Sequence, residues 1–167
     1  TGGCEVVIEI ADSVYQISLG PRNAINAYLV GDVLVDAGIR WTGPALLRQL
    51  TGRRLAAHVL THAHADHQGA SALICHARGL PLWCGAADRT AAESGNILLD
   101  APDPNHPIIR LQQRYWAGPG YPVARTLKEG DPVGDFIVLE TPGHSPGHLA
   151  LWREADRVLI AGDVITT

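Results

Sequence analysis

A chain of 167 residues has the size of one domain, and 46% hydrophobic against 18% charged residues is a globular balance that argues against disorder. The formal charge of −4 comes without a basic block, which disfavours a nucleic-acid groove built on phosphate contacts.

The chain opens on a strand candidate at 5–10. A turn at Ala11-Asp12-Ser13 leads into an alternating strand at 14–18. Gly20-Pro21 breaks the pattern. Residues 26–30, Gly31-Asp32 and 33–36 then read as a β-hairpin. Asp36 ends its second strand, either as a group supporting a site or as a turn former, and residue type alone favours the turn. Thr42 is placed to cap a helix that has Pro44 in its first turn and runs to about Leu50. Residues 55–61 form an apolar strand, 70–78 a helix stopped by Gly79, 80–84 a short strand, and 86–93 a second short helix. Such alternation predicts a mixed α/β chain in which helices cover sheets.

Residues 95–122 are Pro-rich at both ends, with a helix-compatible stretch at 108–117 between them. A segment this irregular reads either as a lid or pocket wall or as a surface excursion. Regular structure resumes with a turn at 130–132 and a strand at 136–140. A Gly/Pro-punctuated loop follows at 141–148, then a hairpin of 149–152 with 158–161. Cys4, Cys75 and Cys84 show no CxxC spacing and suggest neither a disulfide framework nor a thiolate zinc site. Cys75 and Cys84 read as buried thiols. No apolar run has membrane-spanning length and no secretory pattern opens the sequence, so the expected setting is cytoplasmic, away from membranes.

The chemistry concentrates in His62-Ala-His64-Ala-Asp66-His67. On an extended backbone His62 and His64 share a face. Asp66 and His67 follow where the chain bends into a helix, so they can aim at a second point a few ångströms away. Imidazole nitrogens and carboxylate oxygens suit zinc, iron or manganese, and the density of ligands suggests two metal positions. His58, amid apolar residues, reads as a core histidine. His144 and His148 in the later loop, and Asp163 after an apolar strand, are candidates to complete the site.

His62-Ala-His64-Ala-Asp66-His67 resembles the HxHxDH signature of the metallo-β-lactamase superfamily. Thr141-Pro-Gly-His144-Ser-Pro-Gly-His148 and Ala161-Gly162-Asp163 resemble its next two metal motifs, in the right order. The resemblance implies a single domain over 1–167 with an αβ/βα four-layer sandwich and metals at one edge. It implies that His62, His64 and His144 hold one metal, that Asp66 and His67 hold a second, and that Asp163 bridges them. His148, Asp36, Trp116 and Tyr121 are then expected behind the ligands or in the pocket wall. Thr141 and Ser145 are expected to hold the loop by hydrogen bonds. The family pattern places a further histidine tens of residues beyond the bridging aspartate. This sequence ends four residues after Asp163, so the second half is expected to be incomplete, and the apolar edge at 158–165 invites pairing with a second copy.

The activity so implied is hydrolysis by cation-activated water of an ester, thioester, lactone or related bond in a small molecule, with Asp66 orienting the nucleophile or relaying a proton. The motif style is closer to glyoxalase II-like and lactonase-like members than to true β-lactamases. An iron-dependent sulfur dioxygenase and a non-catalytic metal-binding fragment are the alternatives.

Overall fold

The computed structural model describes residues 7–101 and 103–164. Seven strands lie side by side in the order in which the chain makes them: β1 (Val7–Ala11), β2 (Val14–Ser18), β3 (Asn26–Val30), β4 (Val33–Val35), β5 (Ala57–Val59), β6 (Leu82–Gly85) and β7 (Val123–Leu127). β1 to β4 pair antiparallel, and β4 to β7 pair parallel. Parallel neighbours need long crossovers. Here α1 (Gly43–Gln49) lies between β4 and β5. The β5–β6 crossover holds α2 (Ala65–Gln68) and α3 (Ser71–Arg78), and the β6–β7 crossover holds α4 (Arg89–Ser94) and α5 (Pro107–Tyr115). A second, antiparallel sheet has the order β11 (Val158–Ile160), β10 (Leu149–Arg153), β9 (Phe136–Glu140), β8 (Pro132–Val133).

Two cores explain the layering. Val14, Val33, Val35, Val59 and Leu127 of the first sheet pack with Phe136, Val138, Leu149 and Leu151 of the second. Ile17, Leu29 and Leu34 pack with Leu46 and Leu50 at α1, Ile74 and Cys75 of α3, and Ala91 of α4. Every residue of β4 and β5 is buried, as expected of strands covered on both faces. The fold is thus mixed α/β, with a helical layer, a mixed sheet and an antiparallel sheet. The described residues build three of the four expected layers: Ile137 and Leu159, at 44% and 45% exposure, leave the outer face of the second sheet open.

Several local expectations change. The opening strand is described from Val7 on, and residues 5 and 6 lie outside the described range. Thr42 does not cap α1. Its hydroxyl instead donates to the carbonyls of Ile39 (2.7 Å) and Ala37 (3.1 Å), closing the 3-10 turn Arg40–Thr42 that precedes the helix. Regular pairing in β5 stops at Val59, because the chain there leaves the sheet to enter the His62 segment. The expected helix at 86–93 divides into a 3-10 turn, Ala86–Asp88, and α4. β7 was not anticipated: Val-Ala-Arg-Thr-Leu alternates, but polar Arg125 and Thr126 mask it. Of the cysteines, Cys75 and Cys84 are free and buried, and burial pushes both thiols up to about 12; Cys4 lies outside the described range.

Gly79 ends α3 in the left-handed conformation (φ 64°), and a Cβ there would touch nothing. Gly79→Ala is therefore expected to cost only the left-handed strain, about 1 kcal/mol, read as a shift in the urea midpoint with unchanged slope.

Candidate metal centre

The carboxyl ends of parallel strands are where an α/β sheet presents side chains to a ligand. Here Asp36 follows β4, the His62–His67 segment follows β5, and Asp88 follows β6. The second sheet adds the 141–148 loop between β9 and β10, and Asp163 after β11. The Leu149 amide donates to the Thr61 carbonyl at 2.8 Å, tying the two sheets together at this edge.

Donor atoms converge in two groups. His62, His64 and His144 form one, and His62, His67 and Asp163 the other; within each group the atoms lie within 4.8 Å of one another. His62 is common to both. His64 Nδ1 is 3.0 Å from His144 Nε2, a distance at which two imidazole nitrogens need a proton or a cation between them. Asp163 has one oxygen 3.5 Å from His67 Nε2 and the other 3.4 Å from His144 Nε2, so it sits between the groups. Asp66 stands beside the second group, with Oδ2 3.9 Å from His67 Nε2.

Hydrogen bonding sets the tautomers. Asp36, at φ 58° and buried, accepts from the Thr61 amide (2.9 Å), the Thr61 hydroxyl (2.8 Å) and His67 Nδ1 (2.8 Å). With its proton given to Asp36, the Thr61 hydroxyl accepts from His62 Nδ1 at 3.1 Å. His62 Nε2 is then a bare lone pair, and it is buried without a hydrogen-bond partner. An orphaned acceptor among convergent imidazoles and a carboxylate is what a cation would satisfy, so these residues fit a bound metal.

The electrostatics agree with that arrangement at His62 and His64. Burial, then the neighbouring His67, His64, His148 and His144, hold the His62 imidazole far below its ordinary range. Burial and His144 push His64 down to about 4. Burial opposes charge on His67, but Asp36, with Asp163 and Asp66, more than offsets it and raises that imidazole well above its usual value. The hydrogen bond with His67 holds the Asp163 carboxyl below the usual carboxylate range.

The remaining expected residues divide. Asp36 does more than form a turn, since its carboxylate fixes the orientation of His67. His148 lies behind the candidate ligands. Its Nε2 accepts from the Asp163 amide at 3.0 Å, so its Nδ1 donates to the Thr141 hydroxyl at 2.8 Å. The Ser145 hydroxyl donates to Asp88 at 2.8 Å. His58 is wholly buried between the Leu34 carbonyl (3.1 Å) and the Ser71 hydroxyl (2.8 Å), away from both groups. Trp116 and Tyr121 do not line the cavity over the site. The Trp116 carbonyl accepts from the Arg40 amide, and Tyr121 packs on the helical core with its ring against His76. That cavity, about 370 Å³, is bounded by His64, Asp66, His144 and Asp163 and, from residues 95–122, by Ile97, Ala101, Ile109 and Gln112. A second opening of about 350 Å³ reaches Asp66 and His67 from beside Tyr28 and Ile160. Sequence reasoning missed Thr61 and Asp88, both polar groups just beyond the ends of apolar strands, where Asp36 and Asp163 had already drawn attention.

A paired histidine–aspartate cluster at the strand ends of a layered α/β fold could hold metal ions. The family profile described as the metallo-beta-lactamase superfamily matches residues 20–167, and the chain belongs to that superfamily. It is 32% identical over 154 residues to a probable metallo-hydrolase, YflN, of Bacillus subtilis, a match covering 81% of this chain and 56% of the relative. It is 33% identical over 115 residues to a hydroxyacylglutathione hydrolase of Bdellovibrio bacteriovorus, covering 66% of this chain and 35% of the relative. The chain thus spans about half, or less, of these relatives. Among solved structures it resembles TTHA1623 in a di-iron-bound form, at 35% identity and a TM-score of 0.70, with 91% of this chain and 73% of that one covered. No helix among the described residues is long and apolar enough to cross a membrane.

Proposed function

We propose that the chain carries the metal centre of a hydrolase acting on an ester, thioester or lactone bond of a small molecule. The observation that carries this reading is the orphaned His62 Nε2 at the junction of two convergent donor groups. Two metals, zinc or iron, would be held by His62, His64 and His144 on one side and by His67 and Asp163 on the other, with Asp66 alongside. A cation there supplies Lewis acidity and brings the pKa of a water towards neutrality. The protein's own groups do the rest. Asp66 faces both openings and is placed to accept or return a proton. Ile97, Ala101 and Ile109 keep one wall of the cavity apolar, suited to an acyl group, while Gln112 offers a single amide for orientation. Manganese is compatible with the same donor set, and the di-iron-bound relative gives iron equal standing with zinc.

The test is elemental analysis of the purified chain, with hydrolysis assays on a thioester, a lactone and a simple ester before and after chelation. At least one zinc or iron per chain is expected, with His64→Ala lowering that content sharply and hydrolysis lost on chelation and restored by metal. A chain that takes up no metal, and in which His64→Ala changes nothing, would overturn the reading. Full metal content without turnover would reduce it to metal binding alone.

A further inference from the structure

Asp88 is wholly buried and stands at the N-terminus of α4, where an aspartate ordinarily caps its own helix. It makes no capping bond. Its carboxylate turns outwards to two other segments. Oδ2 accepts from the Ala63 amide at 2.9 Å and from the Ser145 hydroxyl at 2.8 Å, while Oδ1 accepts from the Gly147 amide at 2.6 Å. Ala63 separates His62 from His64, and Ser145 follows His144. The backbone of Gly147 lies so close that a Cβ there would stand 2.6 Å from Asp88 Oδ1. One carboxylate therefore bonds both loops that bring the first donor group together.

We propose that Asp88 is a positioning residue: it fixes the gap between the His62–His64 segment and the His144 loop and thereby sets the affinity of the first metal position. The proposal rests on the metal reading above. All three partners are donors, so the role needs a group that only accepts. Asparagine has nearly the same shape but would turn an NH₂ group towards one of the donors. A residue that only filled space would tolerate that exchange, whereas a clamp that holds two loops would not.

The experiment measures zinc affinity by competition with a chromophoric chelator on the full chain, for the parent, Asp88→Asn, Ser145→Ala and the double variant. Amide hydrogen exchange at Ala63 and Gly147 is followed in the metal-free proteins. Asp88→Asn is expected to weaken zinc binding about 10- to 100-fold, the range for loss of a group that orients a ligand, and to speed exchange at both amides. Ser145→Ala should have a smaller effect, and the double variant should lie close to Asp88→Asn, since both act on one network. A folded Asp88→Asn protein that binds zinc within about threefold of the parent would overturn the proposal. If that variant does not fold, Ser145→Ala decides: a loss of about threefold or more supports the proposal, and parental affinity overturns it. A parent that binds neither zinc nor ferrous iron overturns both this proposal and the reading beneath it. A parent that binds zinc while Asp88→Asn binds equally well overturns this one alone.

Discussion

His62→Ala is expected to empty the first metal position and to leave metal on the His67–Asp163 side. His62 stands at the junction of the two donor groups, but its Nε2, the buried acceptor without a partner, has one lone pair and binds one cation. His64→Ala removes a member of the first group only, and should leave the His67–Asp163 side able to retain metal. Loss of an orienting partner costs about 10- to 100-fold in metal affinity, so loss of a ligand itself should cost more than this at the first position. Metal per chain, measured by elemental analysis after dialysis against a weak chelator, should fall sharply and by similar amounts for His62→Ala and His64→Ala, without reaching zero. Near-complete loss in a folded His62→Ala protein beside a smaller loss in His64→Ala would overturn the assignment of His62 to the first position. The metal-free His62→Ala protein must first be shown to fold, because this ring is also packed against His67 and His148.

Asp36→Ala is expected to destabilise the metal-free chain by roughly 3–5 kcal/mol in urea unfolding, since breaking a buried hydrogen-bonded charge network costs that much. The Thr61 amide, the Thr61 hydroxyl and His67 Nδ1 would all lose their acceptor inside the protein. Part of the loss would come from the backbone: φ is 58° at Asp36, a conformation that aspartate tolerates better than alanine. Asp36→Gly separates the two contributions, because glycine removes the carboxylate without the strain. If Asp36→Gly is as stable as the parent, the carboxylate network contributes nothing. If Asp36→Gly matches Asp36→Ala, the backbone strain is negligible.

These expectations trace back unevenly to the sequence. The His62–His67 run was legible because side-chain period and ligand type coincide over six adjacent residues. The hairpin at 26–35 and the strands at 136–140 and 149–153 were legible because each is a short apolar run bounded by turn residues. Asp36 was legible only through the family resemblance: an aspartate at a strand end is by itself a common turn residue, and the three-dimensional return of His67 reveals what its carboxylate holds. Asp88 was invisible for a related reason. Its partners lie 25 and 57 residues away along the chain, and no local pattern connects them. Trp116 and Tyr121 were expected behind the ligands or in the pocket wall. The structure turns the smaller Ile97 and Ile109 to the cavity instead, because the backbone of residue 116 is tied to Arg40 and Tyr121 is drawn into the helical core.

The span of the donor groups along the chain has a kinetic meaning. His64 and His144 are separated by 80 residues, and His67 is farther still from Asp163. No short segment can assemble either group, so a cation meets its full set of ligands only after both sheets have docked. Long-range closure of this kind makes folding slow compared with that of a helical chain of similar size. Metal is then a ligand of the native state alone, and its concentration should act directly on the folding equilibrium. Free metal at about 100 times its dissociation constant would add about 2.7 kcal/mol to native stability. Such a chain would be safest from unfolding and proteolysis where its metal is plentiful, and would turn over fastest where the metal is scarce.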